Sequence, residues 1–527
     1  MKKRLLLFLL LLGSQGFLFA EGTKQILLVD GGHGKVQVMQ SFSSFAWYDN
    51  AGNSAPVDYR LHIHIQNIGE VIYYGFGDML DNNDIPFGIA VNYRIKDPAG
   101  NIVVGPTPVP VSGTGHISTF AEAVAGPSAI AGPTGYPELS YTPTMTGDYF
   151  IEFRYSGFGA PDRCKFKYFD ITVGSAANTA LDGRVWSKAW QFTADANGIN
   201  YDFHGTLFIY TTDSIVTSVN CNGMAPFVFT IACNQYGCYN TGNFNNDRRS
   251  VSGNHILPQY KIFLNNPDSL CYPTGVLGQV IPPVTTTSYC DGTCIIHLTV
   301  NKAGNADVWL DINPAPGVQA EDRVLSNAVS NGVNNFVWDG LNGLGQPVPN
   351  GTVFNIKIAY INGLTNLPIY DIDDNPNGYI IDLHRPSGPV PGVFWDANLV
   401  GGGQNLVNGC IYTLPTTGCH PVAISIGNNN TINTWWNAVV DTSTAPIVFQ
   451  EKRYPGPLGA ITGTTALCPG TSNVMYHVAL EPNSQSYQWS YSGTGATIIG
   501  NGNNTIFIDF SGVATSGILT VTGYNDS

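Results

Sequence analysis

Charge is scarce in this chain. Only 11% of its 527 residues are Asp, Glu, Lys or Arg, against about a quarter in an ordinary globular domain. What charge there is leans one way, since 23 basic and 37 acidic residues leave a net charge of −14. That balance excludes nucleic acid as a partner: a face that binds phosphates needs a basic patch to release counterions, and none is visible. Anionic membrane surfaces would repel the chain for the same reason. Helical patterning is missing too, because no long stretch repeats apolar residues every 3.6 positions. No segment beyond the first twenty residues offers about 18 consecutive apolar positions, so no transmembrane helix is expected in the mature chain. Cys-x-x-Cys does not occur, which argues against a zinc ribbon or a thioredoxin-like redox site. Gly-x-Ser-x-Gly, His-Glu-x-x-His and Gly-Lys-Ser/Thr are likewise absent.

Turn formers and aromatics are what the chain has in place of charge. It contains 60 Gly and 33 Pro, and 12% of its residues are aromatic. Aromatics supply the apolar area for cores, and abundant turn residues between short alternating runs read as all-β. The length calls for roughly three to five domains. At the N-terminus, Met1-Lys2-Lys3-Arg4 is a basic segment and Leu5 to Leu12 an apolar one too short to span a bilayer. Residues 1–20 therefore read as a secretory signal peptide cut after Ala20, with Leu18 larger than the ideal residue three before the cut. The expected location is extracellular or on the outer cell surface. All ten cysteines follow that segment, and an even number in an oxidising compartment points to disulfides. Cys410 and Cys419, close together in a Gly/Asn-rich stretch, are the first candidate pair. Cys221, Cys233, Cys238, Cys271, Cys290 and Cys294 cluster, with no pairing favoured.

Along the chain, residues 22–175 read as a β-sandwich. Leu61, Ile63 and Ile65 alternate with Arg60, His62, His64 and Gln66, as a half-buried strand requires. Asp97-Pro98-Ala99-Gly100-Asn101 is a hairpin turn, and Tyr149 sits where a corner tyrosine is expected in the penultimate strand. Residues 105–143, rich in Pro, Gly and Ala, read as a surface excursion. Residues 180–290 form a second, cysteine-rich β domain with a polar loop from Asn240 to Ser252, and Pro282-Pro283-Val284 with its Thr/Ser run reads as a linker. Residues 294–385 form a third domain, 386–455 an irregular Gly/Asn/Trp-rich extension, and 457–527 a fourth domain.

Two stretches carry family resemblances. In the third domain an apolar strand ends in Trp338-Asp339-Gly340, followed by Asn342-Gly343-Leu344-Gly345 and by Pro349-Asn350-Gly351-Thr352 at the entry to the next strand. This resembles the immunoglobulin-like (Ig-like) domain of flagellar hook-capping proteins and related modules of Bacteroidetes surface proteins. Cys468-Pro469-Gly470, Tyr487-Gln488-Trp489 and Leu519-Thr520-Val521-Thr522 resemble the PKD-like domains of large Bacteroidetes adhesins. That family supplies a second Cys soon after the last strand, and Ser527 precedes any such residue, so the resemblance implies a longer protein whose N-terminal part this is. Together the resemblances imply an all-β fold of several tandem Ig-like/β-sandwich domains joined by Pro/Gly/Thr-rich linkers. The function they imply is that of a non-enzymatic adhesin or scaffold in surface attachment or gliding motility, exported by the type IX route. The partner is then an extracellular ligand, a surface glycan or protein. The alternative is a secreted glycan-binding or polysaccharide-degrading accessory protein.

Candidate sites are few. Asp371, Asp373, Asn375, Asn377 and Asp382 place oxygens at loop positions 1, 3, 5, 7 and 12, the spacing by which a loop converges on calcium. Pro376 stands where an EF-hand needs Gly, and Asp382 is shorter than the usual Glu, so an acidic turn is the competing reading. Calcium is the one cofactor the sequence admits. Trp395, Trp435 and Trp436 offer aromatic faces for a sugar ring, against packing as the commoner role of Trp. Trp435 and Trp436 are adjacent, so on a strand they point opposite ways. His62 and His64 share a strand face without a third ligand. Asp30-Gly31-Gly32-His33-Gly34 resembles a glycine-rich turn carrying a base, but reads more simply as a loop. No catalytic residue is assigned.

Overall fold

The computed structural model of the protein describes residues 20–39, 44–81, 83–155, 163–195, 199, 201–290, 292–316, 319–413, 417–449 and 454–525. Residues 1–19, most of the segment read as a signal peptide, lie outside the described residues. The fold is all-β and multidomain, and its helices are short, none longer than Phe120–Ala125 among the described residues. None of them is long and apolar enough to cross a membrane.

The chain divides into two compact units that do not follow its order. The first comprises residues 1–277 and 362–439, the second residues 278–361 and 440–527.

In the first unit, alternation becomes burial as expected. Leu61, Ile63 and Ile65 of strand Leu61–Ile65 are fully buried, and the strand pairs antiparallel with Gly147–Tyr155 and with Val185–Ser187. The nine-stranded sheet that contains it runs in the order Ile380–Arg385, Val216–Asn220, Thr206–Tyr210, Lys261–Phe263, Val185–Ser187, Leu61–Ile65, Gly147–Tyr155, Val91–Lys96 and Ile102–Pro108. A four-stranded sheet of Ala180–Leu181, Phe169–Gly174, Val71–Phe76 and Leu139–Tyr141 accompanies it. One hydrophobic cluster gathers Ile63, Tyr93, Ile171, Trp190, Ile262, Ile381 and Trp436. The expected boundaries near 175 and 290 thus leave this core uninterrupted, because its strands are recruited from distant parts of the sequence. Residues 386–455 differ from the irregular extension expected. They supply strands Val393–Asp396, Gln404–Cys410 and Asn430–Val448, with Val393 opposite Trp436 and Val251 opposite Thr431. Their Gly and Asn residues masked a strand pattern whose partners lie far away in sequence. The excursion 105–143 also carries structure: Thr119 caps helix Phe120–Ala125, accepting from the Glu122 N–H while Glu122 reaches back, a capping box. Tyr149 donates to the Met145 carbonyl at 3.2 Å, as a corner tyrosine does.

The second unit contains two separate cores. Strands Val280–Ser288, Cys294–Val300 and Gly332–Trp338 form one sheet. Facing it, Gly304–Asp311 pairs with Arg323–Val329 and with residues 355–361 of Val353–Tyr370. Trp338 fills the centre, fully buried, its ring edge-on to Phe354 at 5.6 Å and tilted against Phe449 at 4.8 Å. The Trp338-Asp339-Gly340 turn closes on itself. Trp338 Nε1–H donates to the Leu341 carbonyl, Asp339 accepts from the Leu341 N–H, and Asn342 accepts from the Leu344 and Gln346 N–H groups. Gly340 has φ +73°, and a Cβ there would stand 2.5 Å from the Gly292 carbonyl oxygen, so only glycine fits. The other core, around Val478, Tyr487, Trp489, Ile506 and Ile508, is closed by sheets Thr462–Gly463/Val474–His477/Thr505–Phe510/Ala496–Ile499 and Ser486–Tyr491/Leu519–Tyr524.

Candidate functional site

The acidic loop places its carboxylates on separate partners. Asp371 and Asp373 both have positive φ. The Asp371 carboxylate accepts from the Asn429 N–H at 2.8 Å and Asp373 from the Phe227 N–H at 2.6 Å. Asn375 is fully buried, the Asn377 amide donates to the Asn222 carbonyl, and Asp382 accepts from the Tyr412 hydroxyl at 2.8 Å. The three carboxylates of the set thus accept from three different residues, and among the described residues no group of three His, Cys, Asp or Glu stands together to hold a metal. The chain does turn at Asn375–Gly378, where the Gly378 N–H donates to the Asn375 carbonyl at 3.2 Å, but Pro376 stands at the sixth position in place of the Gly a calcium loop uses.

The three tryptophans are mostly packing. Opposite pairing sets Val393 beside Trp436 on the core side and Phe394 beside Trp435 on the other. Trp436 is fully buried. Trp435 is also buried, covered by Phe394, whose ring stacks at 6.4 Å, and by Arg248, whose guanidinium lies 5.5 Å from the Trp435 ring. Trp395 is half-buried and lies flat on His420, ring centroids 4.8 Å apart and 10° from parallel. His420 is buried without a charged neighbour, which pushes its pKa down to about 3 and keeps the ring neutral. Its Nδ1 meets the Thr434 hydroxyl at 2.7 Å.

Asp30-Gly31-Gly32-His33-Gly34 borders a cleft of about 300 Å³ lined by Leu27, Leu28, His33, Tyr201, Asp202 and His204. His33 stacks on Tyr201 at 3.6 Å, 8° from parallel. Burial first, and Lys35 second, lower its pKa. Asp84 stands beneath it, held by Lys35 at 3.3 Å and Lys165 at 2.8 Å. The arrangement sets a stacked pair of rings beside exposed Leu28 and Val29, a surface on which a ligand ring can lie. His62 differs from an exposed strand-face residue: it is buried and stacked on Trp186 at 4.1 Å, with its pKa pushed down to about 4 by burial. His64 instead bonds Asp148 at 2.7 Å.

Cys410 and Cys419 are joined in a disulfide, their Cα atoms 5.8 Å apart. The remaining eight cysteines are free thiols in the structure. Burial pushes the Cys221 pKa up to about 12 and that of Cys271 up to about 11, so neither is a nucleophile at neutral pH.

Sequence reasoning passed over Arg248. It follows helix Phe244–Asp247 in what reads as a polar loop, and Phe244 lies one turn before it on the same face. The capping box at Thr119-Phe120-Ala121-Glu122 carried a legible signal; a lone arginine carries none.

Comparison with known proteins identifies residues 454–527 as a PKD-like domain. No curated protein matches the chain. Among solved structures, a DUF4785 family protein from Legionella pneumophila subsp. pneumophila str. Philadelphia 1 is 12% identical, covering 65% of this chain and 85% of that one with a TM-score of 0.14. At that score the likeness carries no argument about fold or function.

Proposed function

We propose that the protein is a secreted or cell-surface, non-enzymatic attachment protein: an adhesin or scaffold that projects a binding surface on a series of β-sandwiches. The observation that carries this reading is the PKD-like domain at 454–527, with its own core, in the same chain as the Trp338-centred sandwich. Small sandwiches that each bury their own apolar residues are suited to rods and spacers, because their stability does not depend on a ligand. The Cys410–Cys419 disulfide suits an oxidising compartment, as does the signal peptide read at residues 1–20. The resemblance to hook-capping and Bacteroidetes adhesin modules supports a role in attachment or gliding, with type IX export as the route.

A second reading, a secreted glycan-binding or polysaccharide-degrading accessory protein, is favoured by the aromatic-walled cleft at His33 and Tyr201. A panel of surface polysaccharides incubated with the purified protein separates the two. Retention of polymer with unchanged chain length supports attachment. Release of shortened chains, lost on His33→Ala, would replace it with the degrading reading.

A further inference from the structure

Three arginines of the first unit are almost completely buried: Arg94, Arg184 and Arg248. A guanidinium cannot shed its proton, so its burial demands a counter-charge. Arg94 meets Glu152 at 2.9 Å, and Arg184 meets both Glu70 at 3.1 Å and Asp268 at 2.8 Å. Arg248 meets none. It is 4% exposed, yet its guanidinium has neither a hydrogen bond nor an ion pair with any described residue, and its Nε is sealed from solvent without an acceptor. The two terminal amino groups likewise have no hydrogen bond or ion pair with a described residue, and neither is fully sealed from solvent.

The acid that precedes it in sequence and the acid that pairs with the following Arg249 are both committed elsewhere. Asp247 accepts from the Thr241 hydroxyl at 2.6 Å and from the Thr241 and Gly242 N–H groups. Asp396 takes the Arg249 side chain at 3.1 Å. Aromatic rings cover the guanidinium instead, with Phe244 at 3.1 Å and Trp435 at 5.5 Å. The backbone beneath is held firmly. The Arg248 carbonyl accepts from the Asn433 amide at 2.9 Å, and the Asn433 N–H donates to the Ser250 hydroxyl at 3.0 Å. Desolvation alone lowers the Arg248 pKa to about 9, the mark of a charge without compensation.

We propose that Arg248, roofed by Phe244, is a binding site for the carboxylate of an acidic sugar of the hexuronate class. A carboxylate matches the planar fork with two parallel hydrogen bonds and supplies the missing counter-charge. Phe244 is 53% exposed, so its ring offers an apolar face at the rim on which a pyranose can lie while its carboxylate reaches the arginine. The net charge of −14 disfavours dense polyanions and selects a ligand whose charge is spaced by neutral rings. This names the ligand class of the attachment surface and so rests on that reading; its test reads binding at one residue and is blind to whether cells attach.

Saturation-transfer NMR on the full chain, with methyl β-glucuronide and methyl β-glucoside as probes, tests the site. The glucuronide is expected to receive saturation on its ring protons and to bind at least about fivefold more tightly than the glucoside, a difference of about 1 kcal/mol. Arg248→Met should abolish that preference, Arg248→Lys should weaken it severalfold by removing the fork, and Phe244→Ala should weaken it while leaving the charge in place. Should Arg248→Met fail to fold, the Lys and Phe244 variants decide. Equal binding of the two glycosides, or full glucuronide binding by Arg248→Lys, overturns the proposal. So does displacement by acetate at the glucuronide's own potency, which makes the site a bare anion hole, or tighter binding of a capped aspartyl tripeptide, which makes it a peptide site.

Discussion

The guanidinium carbon of Arg248 stands 3.1 Å from the ring centroid of Phe244, where Arg184 has the carboxylates of Glu70 and Asp268. Two buried arginines in one unit thus have opposite surroundings, and their replacements should have opposite effects. Arg184→Met strands two acids and is expected to cost about 3–5 kcal/mol, whereas Arg248→Met removes an uncompensated charge and should be neutral or stabilising. Denaturant unfolding of the two variants side by side checks this; a large loss for Arg248→Met would mean that the guanidinium is paired in solution.

Trp338 should dominate the stability of its sandwich. Trp338→Ala removes a fully buried ring and its Nε1–H bond to Leu341, and the expected cost is about 3–5 kcal/mol. The effect should appear in the melting of the second unit alone, followed by calorimetry of the full chain.

The Cys410–Cys419 disulfide closes a short loop, with a sequence separation of 9. Chain-entropy reasoning gives about 2.5–3 kcal/mol for a loop of this size. Reduction, or the double Cys→Ser variant, should lower Tm by a matching amount in denaturation curves; no change would show that the native state carries compensating strain.

Neutral burial of His420 makes stability depend on acid. Its folded pKa of about 3 lies below the ordinary histidine value, so between pH 6.5 and 3 the unfolded state binds the proton and the folded state does not. Stability is therefore full above pH 6.5 and lost as pH falls, by about 3 kcal/mol at pH 4. His62 acts in the same direction down to about pH 4. His420→Gln should flatten its share of the acid limb in a Tm-against-pH series while changing little at pH 8.

For the Asp371–Asp382 loop, the backbone N–H groups of Asn429 and Phe227 already occupy the carboxylates. Chelator or added calcium should shift Tm by less than about 1 °C. A rise of several degrees with calcium would show that the loop reorganises around the ion.

These contrasts follow from how far each feature's determinants lie apart in sequence. The Trp338 turn was legible because Asp339, Gly340 and Asn342 bond within a few residues of themselves. Leu61, Ile63 and Ile65 were legible because a half-buried strand writes its period locally. Cys410 and Cys419 were close enough to be paired by proximity. Strand Asn430–Val448 was not, since Trp435 and Trp436 gain meaning only from Phe394 and Val393 across the ladder. The calcium spacing was a local pattern too, but the carboxylates of Asp371 and Asp373 accept from the Asn429 and Phe227 N–H groups, and partners that far away are not written in the spacing. Arg248 was invisible because its significance is a missing partner, and a missing partner has no sequence signature.

The attachment role itself is tested most directly on cells that make the protein. Intact cells are labelled with an antibody to the chain, and a strain deleted for it is compared with wild type in attachment to a polysaccharide-coated surface. The account predicts surface labelling without permeabilisation and a several-fold loss of attachment in the deletion strain, restored by the wild-type chain. Labelling only after permeabilisation, or unchanged attachment in the deletion strain, would contradict it.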